Sequence, residues 1–522
     1  MSPVEARRIT PGLADAPAQV DVLVVGLGIT GAGAALDAVT RGLSVLAVDA
    51  HDLAFGTSRW SSKLVHGGLR YLAHGQVGVA HESAVERGVL MRTTAPHLVR
   101  AMPYLVPVTD ASSPVQRTTT GAGIRAGDWL RRAARPPADV LPRPRRVTAT
   151  EALRLAPPLR AAGLRGAHLS WDGQLEDDAR LVTTVARTAA ARGAHVRTRA
   201  RVLSVDGREV VLRDELTGAT TTVHARAVVN AAGVWADTLT EGLRLRPSRG
   251  THLVLREEAL PGLAAAVFAP VPGSTSRFVM VLPQPDGTRY VGLTDEPVDG
   301  PVPDVPEPTE PEIGFLLDVV SATMSRSLHR DDVVGAFAGL RPLLEGAPGS
   351  TADLSRRHAV LTGAGTARTV VTVVGGKLTT YRRMAEDAVD AAVAAAGLVA
   401  GPCVTTRLPL LGAAPREELS GLVARGVPAR LVRRYGADAP SVLATARSLT
   451  GMPDAELLAP VADGVPTCLA ELVFGAAEEG AADAGDLLDR RTRVGLVPTD
   501  RALALPAAER ALDLAGRTPT PA

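Results

Sequence analysis

Three glycines and an aspartate near the start of the chain have the spacing of a dinucleotide-binding loop. Gly26, Gly28 and Gly31 form a G-x-G-x-x-G pattern, and Asp49 follows about 20 residues later. In such a loop the first glycine permits a tight turn, the second lets the backbone approach a pyrophosphate, and the third lets helix and strand pack closely. The acid accepts hydrogen bonds from a ribose diol. These residues predict bound FAD or NAD, and the lack of a neighbouring basic residue disfavours NADP.

A second group of polar residues follows directly, in residues 51–75. It contains Lys63, His66 and Arg70 among several glycines, serines and threonines, with apolar residues interleaved. Polar loop residues that are held by apolar neighbours tend to form sites, whereas a merely solvated loop would lack the apolar residues. The stretch is therefore predicted to be a folded segment that contributes to the functional site.

The elements around the glycines are those that a dinucleotide-binding loop requires. The apolar run 22–25 predicts a strand buried on both faces, an alanine-rich helix follows the glycines, and a second strand at 44–48 ends at Asp49. The N-terminus of that helix would receive the pyrophosphate, because its N–H groups and its dipole favour negative charge. Because a strand precedes the glycines and a helix and a second strand follow them, the motif is a specific indication of dinucleotide binding.

Length and composition narrow the class of protein. A chain of 522 residues is long enough for two or three domains, and a net charge of +2 gives no indication of nucleic acid binding. No apolar run reaches the roughly 18 residues of a membrane span, and residues 1–18 lack the apolar segment of a signal peptide. Cys403 and Cys468 are far apart and form no C-x-x-C, which favours a reducing compartment. We expect a soluble or peripheral cytoplasmic protein.

Several strings along the chain resemble the FAD-dependent (aerobic) glycerol-3-phosphate dehydrogenase family. They are Thr57 and Ser58 followed by SSKLVHGGLRYL at 61–72, WDGQ at 171–174 with DDARL at 177–181, VGLTD at 291–295, and VGGKLTTYR at 374–382. Leu293 departs from the pattern, because the family has a threonine there. The resemblance covers most of residues 20–500, and it is specific because few flavoproteins carry the whole set.

The resemblance implies an α/β flavoprotein of the glutathione-reductase and amino-acid-oxidase type. It has a Rossmann-like FAD-binding domain, an antiparallel-sheet substrate domain and a C-terminal α-helical domain. The expected ranges are 20–95, 150–245 and 355–395 for the FAD-binding domain, 96–149 and 246–354 for the substrate-binding domain, 400–522 for the helical domain, and 1–19 for an N-terminal extension.

The implied reaction is the oxidation of sn-glycerol 3-phosphate to dihydroxyacetone phosphate, with hydride transfer from C2 to flavin N5. His66 is the first choice for the general base, and Arg341 and Lys377 would stabilise developing negative charge. The division of roles among these three is left open. The resemblance implies substrate binding by Arg70, Tyr71, Thr294, Arg341 and Arg356. It implies cofactor binding by Gly26, Gly28, Gly31, Asp49, Thr57, Ser58, Ser62, Lys63, Leu64, His66, Val202, Gly233, Trp235, Lys377, Leu378 and Thr379.

The electron acceptor is less firmly indicated. Residues 130–146 contain six arginines and one acid, which would suit contact with anionic lipid on the inner face of the cell membrane, or a solvated loop broken by prolines. We expect a quinone as acceptor, with an oxidase that reduces O2 and an amino-acid-oxidase type of enzyme as alternatives. The presence of His66 and Lys377 disfavours a non-catalytic flavin-binding protein. No metal and no nucleic acid partner is expected, and a homodimer is left open.

Overall fold

Two large sheets and a C-terminal group of helices make up the part of the chain that the computed structural model describes, residues 7–68, 77–110, 140–274, 277–345, 357–363 and 368–516. The first strands are β1 Thr10–Pro11, β2 Gln19–Val25, β3 Val45–Val48, β4 Leu64–Val65, β5 Val99–Thr109, β6 Arg145–Val147, β7 Leu164–Leu175, β8 His195–Thr198, β9 Ala200–Asp206, β10 Glu209–Asp214 and β11 Thr220–Asn230. The later ones are β12 Ser248–Arg256, β13 Ala266–Pro270, β14 Phe278–Pro283, β15 Thr288–Gly292, β16 Glu296–Pro297, β17 Val333–Arg341, β18 Ala359–Thr362, β19 Val370–Val374, β20 Pro460–Ala462 and β21 Val465–Cys468. The helices are α1 Ile29–Thr40, α2 Val77–Val89, α3 Ala149–Leu155, α4 Asp178–Ala191, α5 Glu310–Thr323, α6 Tyr381–Ala396, α7 Arg416–Ala424, α8 Ala429–Tyr435, α9 Ala439–Thr450, α10 Asp454–Leu457, α11 Leu469–Glu478 and α12 Pro498–Leu514.

The first sheet contains the predicted dinucleotide-binding unit. Its strand order is β1-β8-β3-β2-β11-β10-β9. The pairs from β1 to β11 are parallel, and β19 joins β11 in parallel. Strands β10, β9 and β18 are added by antiparallel pairing. The strands expected at 22–25 and 44–48 are β2 and β3, and residues 22–24 and 45–48 are buried. Parallel strands that are covered on both faces are typically such continuous apolar runs.

The glycine loop joins β2 to α1 in a way that only small residues allow. Gly26 has φ +92°, in the left-handed region that favours glycine. A Cβ on Gly31 would lie 1.8 Å from the carbonyl oxygen of Gly26. Helix α1 can therefore pack tightly against the end of β2. Its alanines, including Ala32 and Ala35, are buried in the same core as residues of α4 and α6.

The second sheet is mostly antiparallel, in the order β16-β12-β15-β14-β13-β5-β7-β4, with β17 paired to β12. The β13–β5 pair is parallel. One face packs against α3 and α5 in a core that includes Leu105, Val267 and Val279. The alternate residues point to the other face, which carries aromatic side chains such as Tyr104 and Phe268. Both faces of this sheet are therefore apolar over much of its area.

The C-terminal helices α7 to α12 surround a third core together with the hairpin of β20 and β21. The predicted architecture, an α/β fold with a Rossmann-like sheet, a second antiparallel-type sheet and a helical C-terminal part, is confirmed. The predicted domain ranges stay a prediction, and β7 lies in the second sheet although its residues fall in the range expected for the FAD-binding domain. Within the described ranges, none of the helices combines the length and apolar character needed to cross a bilayer.

Candidate active site

A cavity of about 930 Å³ is lined by residues from both sheets. It brings together most of the residues that the sequence predicts for the site. Those that line it are Gly26, Gly28, Asp49, Thr57, Ser58, Ser62, Leu64, His66, Val202, Gly233, Trp235, Thr294, Arg341, Lys377, Leu378 and Thr379. Arg70, Tyr71 and Arg356 lie outside the described residues, as do residues 130–139 of the arginine-rich segment. Gly31 is buried behind the loop, where it packs against Gly26.

Asp49 is held at the end of β3 by two backbone donors. The amide of Leu27 donates to Oδ2 at 2.7 Å, and the amide of His51 donates to Oδ1 at 2.8 Å. Burial, with a smaller contribution from the charge of Asp52, raises the pKa of the Asp49 carboxyl to about 6. Each carboxylate oxygen has two lone pairs, so both oxygens can accept a further hydrogen bond. The geometry is compatible with the predicted contact to a ribose diol.

The hydroxyl groups of the loop after Asp49 join it to helix α1 and to the second sheet. Ser58 Oγ accepts from the amide of Ile29 at 2.9 Å, in the first turn of α1. Thr57 Oγ1 donates to the carbonyl oxygen of Leu340 at 2.6 Å, at the end of β17. Ser62 Oγ lies 2.8 Å from Nε2 of His252 on β12. The predicted cofactor loop is thereby fixed to the second sheet.

Lys63 is buried, and its ammonium group forms an ion pair with Asp178. Its Nζ donates to Asp178 Oδ2 at 2.8 Å and to the carbonyl oxygen of Arg59 at 2.6 Å. Burial lowers the pKa of Lys63, and the neighbouring Asp178 opposes that shift. The side chain is therefore committed to Asp178, and a contact of Lys63 with a cofactor would come from its backbone.

His66 follows β4, which pairs with β7 at the rim of the second sheet. The amide of the next residue, Gly67, donates to both carboxylate oxygens of Asp172, at 3.0 and 3.2 Å. Asp172 also accepts from Arg87 Nη1 at 2.5 Å. A carboxylate with a cationic partner thus fixes the backbone beside the predicted general base.

Lys377 stands between the end of β19 and the start of α6. Its Nζ donates to Ser83 Oγ at 2.6 Å, and Ser83 Oγ in turn donates to the carbonyl oxygen of Val79 at 2.7 Å. Ser83 belongs to α2, so the lysine head is positioned by an element far away in sequence. Lys377 lines the same cavity as His66.

Arg341 and Thr294 lie near the edge of the second sheet. The pairing of β17 with β12 places Arg341 opposite Ser248. Arg341 Nη1 donates to Ser248 Oγ and to Asp295 Oδ1, both at 3.1 Å, and Nη2 donates to the carbonyl oxygen of Thr294 at 3.1 Å. The Thr294 hydroxyl donates to Glu312 Oε1 at 2.8 Å. The guanidinium is thereby oriented while its side chain stays 20% exposed in the cavity.

His252 also lines the cavity, and its environment differs from that of a solvent-exposed histidine. It is buried, and its ring stacks on Phe337 with a centroid distance of 4.8 Å. Burial and the positive charges of Lys63 and Arg341 lower the pKa of His252 to about 3. Its imidazole is therefore neutral at neutral pH.

The cavity fits an FAD molecule by its polar atoms as well as its glycine loop. Thr379 Oγ1 and Trp60 Nε1 are buried and have no hydrogen-bond partner among the described residues. Both residues line the cavity. Buried polar groups are nearly always paired in native proteins. A bound group that carries hydrogen-bonding atoms would satisfy them, as a dinucleotide does.

Other cavity residues were not predicted from the sequence. They include His51, Phe55, Trp60, Asp172, His252, Asp304 and the aromatic side chains of β5, β13 and β14. His51, Phe55 and Trp60 lie in the stretch 51–75, which the sequence predicts to contribute to the site. Their position in that stretch could therefore have identified them. Asp304 stands in a proline-rich stretch whose position depends on the packing of the two sheets, so no local pattern could have identified it.

Two protein-family models match this chain. Residues 21–382 match the family model described as FAD dependent oxidoreductase, and residues 403–518 match the C-terminal domain of alpha-glycerophosphate oxidase. The glycerol-3-phosphate dehydrogenase 1 of Mycobacterium tuberculosis is 51% identical, over 94% of each chain. Glycerol-3-phosphate dehydrogenase 2 of the same species is 38% identical over 92% of this chain and 81% of the relative.

Two solved structures are similar to this chain in overall fold. The glycerol-3-phosphate dehydrogenase from Bacillus halodurans, complexed with FAD, aligns with a TM-score of 0.73 and 28% identity over 97% of this chain and 92% of that one. The L-alpha-glycerophosphate oxidase from Mycoplasma pneumoniae with FAD bound aligns with a TM-score of 0.56 and 18% identity, over 75% of this chain and 99% of that one, which supports the fold alone. The predicted cofactor, FAD, is confirmed by these matches.

The pKa of Asp49 predicts that FAD affinity depends on pH. Only the charged carboxylate accepts two ribose hydrogen bonds, so bound FAD should lower the pKa below its value of about 6 in the free protein. Affinity should then be full above pH 6 and should fall below it, by at most about tenfold per pH unit. Titration of apoprotein with FAD between pH 5 and pH 8, followed by flavin fluorescence, measures this. The Asp49→Asn variant should bind more weakly at pH 7 and lose the pH dependence; an unchanged slope in that variant would assign the titration to another group.

Proposed function

Because the chain belongs to the FAD-dependent glycerol-3-phosphate dehydrogenase family, we propose that it oxidises sn-glycerol 3-phosphate to dihydroxyacetone phosphate and passes the electrons to a quinone. Bound FAD supplies the acceptor for the hydride that leaves C2. The observation that carries the proposal is the presence of Arg341, Lys377 and His66 in the cavity that also holds the glycine loop and Asp49. A dianionic phosphate and an ionising alcohol need such cations and a proton acceptor.

Arg341 is suited to bind the phosphate. Its planar guanidinium can give two parallel charge-assisted hydrogen bonds to phosphate oxygens. The contacts to Asp295 and Ser248 hold the side chain in one orientation before substrate arrives, which reduces the entropy lost on binding. Arg70 and Arg356 are proposed as further phosphate ligands on the basis of their family positions.

Proton removal from the C2 hydroxyl is assigned to His66. A general base works best when its pKa lies near the working pH, and imidazole is the side chain that meets this without a large shift. The cavity also contains His252, which is a weaker base because its pKa is lowered to about 3, and His51, whose pKa is lowered by burial. Lys377 would stabilise the alkoxide that forms as the proton leaves, through its ammonium charge.

A quinone acceptor is supported by the apolar wall of the cavity. This wall consists of Tyr104, Val106, Phe268, Phe278 and Met280, all of which line the cavity. The rings of Tyr104 and Phe268 stack with a centroid distance of 4.4 Å. An apolar patch of this kind on a cavity wall marks a binding site for an apolar group. Glycerol 3-phosphate is polar and gains little from contact with this apolar wall, whereas a flat quinone ring would pack against it. O2 requires no such surface.

Two further functions remain candidates and can be separated by one experiment. An oxidase of the same family would share the substrate but reduce O2, and an amino-acid-oxidase type of enzyme would share only the fold. The oxidised holoenzyme is mixed anaerobically with glycerol 3-phosphate, and separately with glycerol and with amino acids, while flavin absorbance is followed. Bleaching by glycerol 3-phosphate alone is expected, and bleaching by an amino acid alone would refute the proposed substrate. Re-oxidation by a soluble quinone or by O2 then identifies the acceptor.

Loss of Arg341 should affect turnover and leave the cofactor bound. The Arg341→Ala variant is expected to lower kcat/KM for glycerol 3-phosphate by about two to three orders of magnitude, because a charge-assisted contact to phosphate is removed. FAD content should stay at the level of the unmodified protein, since Arg341 approaches the cavity from the second sheet. The matched control is Arg326→Ala, which removes an exposed arginine paired with Asp332. Purification of Arg341→Ala as apoprotein would contradict the assignment.

Changes in the apolar wall should affect the acceptor half of the reaction. Met280→Ala and Phe278→Ala are each expected to raise the KM for a soluble quinone about tenfold, through lost apolar contact. The rate of anaerobic bleaching by glycerol 3-phosphate should be unchanged. Leu449→Ala, an exposed apolar residue of α9, is the control. A slower bleaching rate with an unaltered KM for quinone would place the wall in substrate binding.

A further inference from the structure

Asp52 lies three residues after Asp49, and it is completely buried. Its carboxylate is held by two consecutive arginines from the C-terminal part of the chain. Arg490 Nε donates to Oδ2 at 2.6 Å, while Arg491 Nη1 donates to Oδ2 at 2.7 Å and Arg491 Nη2 to Oδ1 at 2.8 Å. Although burial opposes it, the charges of Arg491 and Arg490 hold the pKa of Asp52 below its ordinary value. The loop that begins at the predicted ribose ligand is therefore anchored to the C-terminal helical part.

The two arginines have different further contacts. Arg491 donates to the carbonyl oxygen of Glu479, at 3.2 Å from Nε and 2.8 Å from Nη2, so it is part of the interior of the C-terminal unit. Arg490 pairs with Asp486 and lies over the ring of Phe55, 5.8 Å from its centroid. Arg490 is thus the one of the pair that reaches a residue of the cavity wall.

Phe55 belongs to a small aromatic group beside Asp49. Its ring stacks on the imidazole of His51 at 3.9 Å, and its centroid is 6.5 Å from that of Trp235. All three residues line the cavity. Because Asp49 is the expected ribose ligand, this group stands at the adenosine end of the FAD site, where aromatic faces can pack against an adenine ring.

A buried ion pair is not in itself evidence of a stabilising contribution, since desolvation can offset the Coulombic gain. Its clearer effect is to fix geometry, because both partners lose their alternatives once they are buried. Here the fixed geometry is that of the loop 51–57, which carries Phe55 and the hydroxyl of Thr57.

We propose that Arg490 is a positioning residue for the cofactor. Through Arg490, the C-terminal helical unit holds Asp52 and Phe55 in place. The adenosine end of the FAD site is thereby preformed. The inference concerns cofactor retention and is independent of the substrate and the acceptor. The C-terminal unit is then part of the cofactor site, although its residues do not need to touch FAD.

The test compares FAD binding by apoprotein of the full chain and of Arg490→Gln. The variant leaves Arg491 on Asp52 and Arg199 on Asp486, so both buried carboxylates keep a cation. We expect the Kd for FAD to rise about tenfold, which corresponds to 1.4 kcal/mol, with a faster release of FAD. The rise in Tm that FAD causes should shrink, while the Tm of the apoprotein changes little. Arg447→Gln, which removes an exposed ion pair with Asp454 in the same C-terminal unit, should leave the Kd unchanged.

A purely structural role would give a different pattern. In that case Arg490→Gln would lower the Tm equally with and without FAD and keep the original Kd, and the proposal would be overturned. If Arg490→Gln does not fold, Arg490→Lys decides, because it keeps a positive charge beside Asp52 and Asp486 and removes the planar guanidinium that lies over Phe55. Weakened FAD binding in Arg490→Lys supports the proposal, and an unaltered Kd overturns it. None of these measurements depends on turnover, so they stand apart from the bleaching experiment.

Discussion

Asp177 and Asp178, at the start of α4, hold three parts of the chain together. Asp178 accepts hydrogen bonds from Ser61 and Lys63, in the loop after Asp49 that lines the cavity. Asp177 accepts hydrogen bonds from the first turn of α4 and from Arg434 of the C-terminal helices. Both carboxylates are buried, so each needs its cation. Removal of one partner from such a pair costs about 3–5 kcal/mol, because the other charge is left uncompensated. The cavity loop, the first sheet and the C-terminal unit are therefore constrained to one relative arrangement.

That arrangement assembles the site from sequence-distant segments. Ser83 meets Lys377 only because α2 and α6 pack together, and Asp172 meets Gly67 only because β4 pairs with β7. Lys377 and the backbone next to His66 are thus each held by a partner from another element. Such long-range contacts fix side-chain geometry more tightly than a flexible loop could by itself.

The part of the site that the sequence predicts well is the part whose geometry is local. The glycine loop, its two strands and Asp49 lie within 30 residues, and their spacing is dictated by the turn and by the length of α1. The positions of Asp304, His252 and the aromatic wall depend on how two sheets meet, which no short pattern encodes. Lys63 illustrates the same limit: its neighbours in sequence indicate a cofactor contact, whereas Asp178, 115 residues away, determines where its ammonium group lies.

The two ends of the cavity are held by different kinds of interaction, and this difference matches what each end must do. Behind Asp49 the support is a completely buried network of ion pairs around Asp52 and Arg491. At the other end, the ion pair of Arg341 with Asp295 is partly exposed. A cofactor that stays bound through many turnovers benefits from a rigid, preformed grip. Substrate and acceptor must enter and leave, and side chains with shallower, partly solvated contacts can adjust to them at a lower cost.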